Sequence, residues 1–143
     1  MKALLLIRAS NDEYQPSAVQ EQRLRDYAEQ KTLIIDQVYE IPKASAKPFY
    51  NISKSSSKHI RKEFKQVLKE IQNSEETIAL VVDSIYLVED SFREVVVLED
   101  LRKQGKVEIH FLQEELILNL NSSPSDLTRW HLGVLFARSM TFN

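Results

Sequence analysis

At 143 residues the chain has the size of one domain, and 43% hydrophobic against 28% charged residues places it among globular rather than disordered sequences. It has no cysteine, which excludes disulfides, thiolate metal sites and a cysteine nucleophile; its two glycines, Gly105 and Gly133, exclude a glycine-rich phosphate loop of dinucleotide or Walker type. The net charge of −2 conceals an asymmetry: eight Lys and Arg residues oppose the single acid Glu63 between Lys43 and Lys69, whereas nine carboxylates oppose the single Arg93 between Glu70 and Asp100.

In chain order, Ala3 to Ile7 is a short apolar run that suits a strand buried on both faces. Pro16 can open a helix whose apolar side is Val19, Leu24 and Tyr27-Ala28, and Leu33 to Tyr39 is a β-branched and aromatic second strand. Ile41 to Lys58, with two prolines and a run of serines, reads as loop. Ile60, Phe64, Val67, Leu68 and Ile71 then recur at helical spacing, and Thr77 to Val82 is a third buried strand ending at Asp83.

Phe92, Val95, Val96, Leu98 and Leu101 form the next helical face, stopping at Gly105 as a C-cap, and Val107 to Leu112 is a fourth strand. Ser123 as N-cap, Pro124 in the first turn and Asp126 near the helix dipole start a final helix marked by Leu127, Trp130, Val134 and Ala137. Strands alternating with helices argue for an α/β domain with a largely parallel sheet, read as one unit over 1–143. No apolar run approaches a membrane span and no secretory segment opens the chain, so a soluble, cytoplasmic protein is the expectation.

Ligands of open α/β sheets gather at the carboxyl ends of the strands. The first strand ends in Arg8-Ala9-Ser10, which places a hydroxyl beside a guanidinium, the pair that phosphoryl transfer requires: a nucleophile, and a cation for the transition-state charge. Asp83 enters the same crevice if the first and third strands are neighbours. The plainer alternative makes Ser10 a turn cap and Arg8 the partner of a nearby acid. His59, His110 and His131 have no metal-ligand spacing and read as surface or core packing, so neither metal nor cofactor is expected. The stretch Lys54-Ser55-Ser56-Ser57-Lys58 reads either as a solvated linker or as a mobile segment lying along phosphates, with Lys54 and Lys58 as the contacts.

Arg8-Ala9-Ser10 followed by Gln20, Leu24 and Tyr27-Ala28 resembles the opening of the resolvase/invertase serine recombinases, whose pattern runs R-x-S, a downstream glutamine, then Y-A. Glu40 through Ser45-Ala46 is similar to the family's E-x-x-S-A turn, and Arg61-Lys62-Glu63-Phe64 to its R-P-x-F helix with lysine for proline. The resemblance runs to about Ser139. It implies a three-layer, resolvase-like catalytic domain with a mostly parallel central sheet, which cuts DNA and holds it as a 5′-phosphoserine. Ser10 would be the nucleophile, Arg8 a phosphate clamp, Arg61 the arginine after the loop, Gln20 a polar supporter, and Asp83 the acid of the family's D-R-x-x-R motif.

That motif reads Asp83-Ser84-Ile85-Tyr86-Leu87 here, without either arginine, so weakened activity is expected. The alternative is an inactive remnant that binds DNA or another recombinase subunit. A receiver-like module phosphorylated on Asp83 ranks lower, because Arg8 and Ser10 stand where an acidic pair would be needed. The resemblance also makes 123–143 the start of an interface helix, with no DNA-binding domain after it. The partners it implies are DNA and a homodimer or tetramer formed through that helix. The helix is apolar over more than one stripe, so part of it should pack on the sheet and part should seek a partner, with Trp130 or Phe136 buried across a two-fold axis.

Overall fold

A computed structural model describes residues 1–8, 17–41, 54–85 and 92–132. The elements run β1 (Lys2–Arg8), α1 (Ser17–Gln30), β2 (Ile34–Ile41), α2 (Lys54–Asn73), β3 (Ile78–Val82), α3 (Phe92–Lys103), β4 (Val107–Phe111) and β5 (Leu116–Leu118). Residues 124–132 add a final helix, α4. The strands form one five-stranded sheet in the order β2-β1-β3-β4-β5, parallel except for the antiparallel pair of β4 and β5.

Alternation along the strands divides the core into two layers. Leu4 and Leu6 of β1, Leu80 and Val82 of β3, and Ile109 and Phe111 of β4 face α2, α3 and α4, where Phe64, Ile71, Leu98 and Trp130 close the layer. Ala3, Leu5 and Ile7, with Ala79 and Val81, face α1 through Leu24 and Ala28. The three-layer α/β reading of the sequence therefore holds.

Three local readings change. Lys54 to Lys58 is the first turn of α2, not loop: the amphipathic segment Phe64–Ile71 propagates back through serines and lysines, whose helical cost is only tenths of a kcal/mol each, roughly 0.5 for serine. β5 was not anticipated, because three residues carry too short an alternation to register; it is an edge strand reached through a tight turn in which Glu115 has φ 51°. Trp130 is fully buried within its own chain, with its ring 5.6 Å from that of Phe111, so it cannot anchor a two-fold contact as expected.

Both helix ends read from composition are present. Gly105 has φ 75° and closes α3 in a Schellman motif, its N–H bonding Arg102 O and that of Lys106 bonding Leu101 O. Ser123 caps α4, its Oγ accepting from the Asp126 N–H at 3.2 Å. No helix among the described residues is long and apolar enough to cross a membrane.

Candidate functional site at the carboxyl edge of the sheet

β1 and β3 are neighbours, Leu6 pairing with Val82, so the carboxyl ends of these strands lie side by side. Two backbone bonds, Leu112 N–H to Val82 O and Gln113 N–H to Asp83 O, carry the β3–β4 ladder past the strand ends and hold Asp83 at this edge. Asp83 is buried on the α1 side. Its Oδ2 accepts from Gln113 Nε2 at 2.8 Å and from Arg23 Nη2 at 3.3 Å, and the Arg23 side chain is 40% exposed. A buried carboxyl oriented by an amide and a half-exposed guanidinium is an arrangement that can handle charge or a proton at this edge.

Gln20 is also buried, one turn before Arg23 and Leu24 on α1, so it stands on the helix that supplies the cation to Asp83. Arg8 closes β1, paired with Ile41 of β2, and Arg61 lies in α2. The side chains of Arg8, Arg61, Lys54 and Lys58, and the whole of Ser10, lie outside the described residues. Of the expected site, then, Gln20 and Asp83 are shown with their side chains on the α1 side of the sheet.

The residues that follow Asp83 are tied to the β4–β5 turn. Ser84 Oγ donates to Glu114 Oε1 at 2.7 Å, and the Ile85 N–H donates to the same oxygen at 2.8 Å. The Ser84 hydroxyl serves this anchoring contact.

Arg23 and Gln113 were not read from the sequence. Arg23 shares the Gln20 side of the amphipathic pattern at i+3, which was a usable signal, whereas Gln113 reaches Asp83 only because β4 lies beside β3. His110 was read as packing, yet it bonds Tyr27 and Glu108. His131 was read the same way and pairs at the surface with Glu99, its Nε2 2.8 Å from Oε2.

The sequence model of the family described as "Resolvase, N terminal domain" matches residues 3–135. Comparison with curated proteins finds no match. Among solved structures, the fold is similar to the N-terminal catalytic domain of TP901-1 integrase, with TM-score 0.63 and 16% identity over 98% of this chain and 96% of that one. It is also similar to a resolvase family site-specific recombinase from Streptococcus pneumoniae, with TM-score 0.61 and 14% identity over 99% of this chain and 92% of that one. At such identities the structural likeness concerns the fold; the family match spans nearly the whole sequence, and the chain belongs to the resolvase N-terminal domain family of serine recombinases.

Proposed function

We propose that this domain cleaves and rejoins DNA through a 5′-phosphoserine on Ser10, at a rate lowered by the absence of the two motif arginines. Family membership over residues 3–135 is the observation that carries the reading. The adjoining ends of β1 and β3, with Asp83 held between Arg23 and Gln113, support it. In the step proposed, Ser10 Oγ attacks the phosphorus, the 3′ oxygen leaves, and the serine proton passes to a base while the 3′ oxygen takes one up. Arg8 and Arg61 would neutralise the phosphoryl oxygens, Gln20 would support the site, and Asp83 would orient or relay the proton. Loss of two cationic clamps costs several kcal/mol of transition-state stabilisation, roughly two to four orders of magnitude in rate.

Incubation with a nicked suicide duplex tests the chemistry. A covalent protein–DNA adduct that disappears in Ser10→Ala supports it. DNA binding without an adduct transfers the chain to the second reading, a remnant that binds DNA or a recombinase subunit, which the sequence Asp83-Ser84-Ile85-Tyr86-Leu87 favours.

Phosphate contact by Lys54 and Lys58 is part of the same proposal. They stand one turn apart at the amino end of α2, in a segment rich in lysine and serine and poor in aromatics. Binding through them should be indifferent to base sequence, and Lys54→Ala with Lys58→Ala should reduce the slope of log affinity against log salt by about 1–2. An unchanged slope removes the role.

Self-association belongs to the proposal as well. Leu132 is 61% exposed on α4 while Trp130 points inward, so the outer side of this helix is the surface offered to another subunit. Sedimentation at rising concentration checks it: a concentration-dependent dimer or tetramer, weakened by Leu132→Asp, is expected, and a strict monomer rejects it.

A further inference from the structure

His110 is 3% exposed, on the face of β4 that looks toward α1, and both ring nitrogens are engaged. Nε2 is 2.7 Å from Glu108 Oε1, and Nδ1 is 2.6 Å from the Tyr27 hydroxyl. The rings of Tyr27 and His110 meet edge to face, with centroids 5.5 Å apart. Glu108 is steadied in turn by Asn119 Nδ2, just after β5, 3.5 Å from its second oxygen.

The chemistry of the groups sets the direction of this chain. An ionised carboxylate only accepts, so Nε2 carries the ring proton. Burial pushes the His110 ring below its ordinary value of 6.5, against the pull of Glu108, so the ring is neutral and its Nδ1 is bare. The Tyr27 O–H therefore donates to Nδ1, and Nε2–H donates to Glu108.

We propose that Tyr27, His110 and Glu108 form a one-directional hydrogen-bond relay that docks α1 on β4, so that His110 is a positioning residue for Arg23 and Gln20 at the carboxyl edge, and that protonation of the ring loosens this docking by reversing the Tyr27 bond and burying a charge. The connection is short. Tyr27 lies one turn after Arg23 on α1, and Val81, the register partner of His110, lies two residues before Asp83. The Arg23–Asp83 and Tyr27–His110 contacts are two successive tethers along one side of the helix.

Few other groups face the ring. Glu108 lies on its own strand. From α1 come Tyr27 and Lys31, the latter with its ammonium 5.8 Å from the Tyr27 ring centre and opposing a second positive charge. β3 contributes Val81, β5 contributes Ile117, and Asn119, just after β5, acts through Glu108. A proton added at Nδ1 makes both ring nitrogens donors, and the tyrosine hydrogen must leave the Nδ1–O line. The sign follows: a histidine held below its unfolded value contributes stability that is complete above 6.5 and is lost as pH falls through the folded value.

The test needs no DNA. Nitrogen-15 spectra of the histidine rings should show His110 as the Nε2–H tautomer at neutral pH; an Nδ1–H tautomer overturns the relay. Amide exchange of α1, corrected for intrinsic rates, should lose up to about tenfold protection per pH unit as pH falls from 6.5 toward the His110 midpoint, and level off below it, in the 143-residue chain. In His110→Asn, whose amide oxygen can accept from Tyr27, that dependence should vanish; the same dependence in both proteins overturns the proposal. If His110→Asn does not fold, Tyr27→Phe takes its place, and α1 protection should then no longer follow the titration of His110. Protection that follows it as before overturns the role of Tyr27.

The functional consequence rests on the recombinase reading above. Adduct formation should show an acid limb in the native chain that His110→Asn lacks. Absence of any adduct would reject the proposed function and leave the exchange result standing.

Discussion

The two faces of the sheet are made of different chemistry. Beneath α2, α3 and α4 the side chains that meet are Phe64, Ile71, Leu98, Phe111, Ile109 and Trp130, with essentially no solvent exposure. Beneath α1 the apolar contact is a smaller cluster, Leu24 and Ala28 against Ala3, Leu5, Ile7, Ala79 and Val81. Beside that patch stand Gln20, Arg23, Asp83, Gln113, Tyr27, His110 and Glu108. Large apolar burial on one side supplies the stability that allows the other side to hold a buried acid and a buried imidazole, both of which cost desolvation.

Trp130→Ala should break this contrast most severely. It removes the largest fully buried side chain of the apolar face and its contact with Phe111, and should cost about 3–5 kcal/mol in denaturant unfolding. A loss under about 1 kcal/mol would mean that α4 does not close that layer.

Asp83→Asn probes the opposite face with a smaller expected effect. It keeps the shape and an acceptor for Gln113 while removing the charge opposite Arg23. Because the Arg23 side chain is 40% exposed, solvent screens the pair and about 1 kcal/mol is expected. Arg23→Gln should give a similar loss, and the double variant should fall short of the sum of the two. Strict additivity would show that the contact carries no coupling.

The faces should also part in their response to acid. Burial works to raise the Glu99 carboxyl, but hydrogen bonds from Arg102 and His131 outweigh it and hold Glu99 below its ordinary value of 4.5. A depressed carboxylate contributes stability that is present above 4.5 and is lost as pH falls through its folded value. The α3–α4 contact should thus begin to weaken only below 4.5, whereas the His110 contribution begins to fall below 6.5. Stability curves for Glu99→Gln should differ from the native curve chiefly in the range above about pH 4.5 and converge with it in stronger acid. A constant offset down to strong acid would mean that Glu99 acts through packing alone.

How much of this was legible in the sequence follows from the range of each signal. The four longer strands, the helices and the Gly105 and Ser123 caps arise from periodicity and local backbone preference and are present, but Val19 and Val96, read on the apolar faces of α1 and α3, are exposed, and Val134 and Ala137 lie outside the described residues. Asp83 was legible because a buried apolar run ends on it, and Gln20 because it stood in a family pattern. The partners of Asp83 were not legible: Gln113 comes from the β4–β5 turn, thirty residues away, and only the β3–β4 pairing brings the two together. His110 was hidden for the same reason, since an isolated histidine in a strand reads as packing until Tyr27 is placed opposite it. β5 had too few residues to show a period, and the first turn of α2 was masked by serines whose loop preference is weaker than the pull of an established helix.

The smallest effect concerns how the helices on the two faces end. α1 and α3 close in the same Schellman geometry: Leu33 N–H bonds Ala28 O and Thr32 N–H bonds Glu29 O, as Lys106 and Gly105 do after α3. The αL residue is glycine on the α3 side, with φ 75°, but threonine on the α1 side, with φ 55°. A β-branched residue there carries a steric penalty of about 1–2 kcal/mol, partly offset because glycine would lose more entropy on folding. Thr32 Oγ1 donates to Lys31 O at 2.6 Å, an exposed contact that returns little. Thr32→Gly should therefore stabilise the chain by about 0.5 kcal/mol and slow amide exchange at the carboxyl end of α1. Unchanged or reduced stability would show that the hydrogen-bonded threonine fits the αL position as well as glycine does.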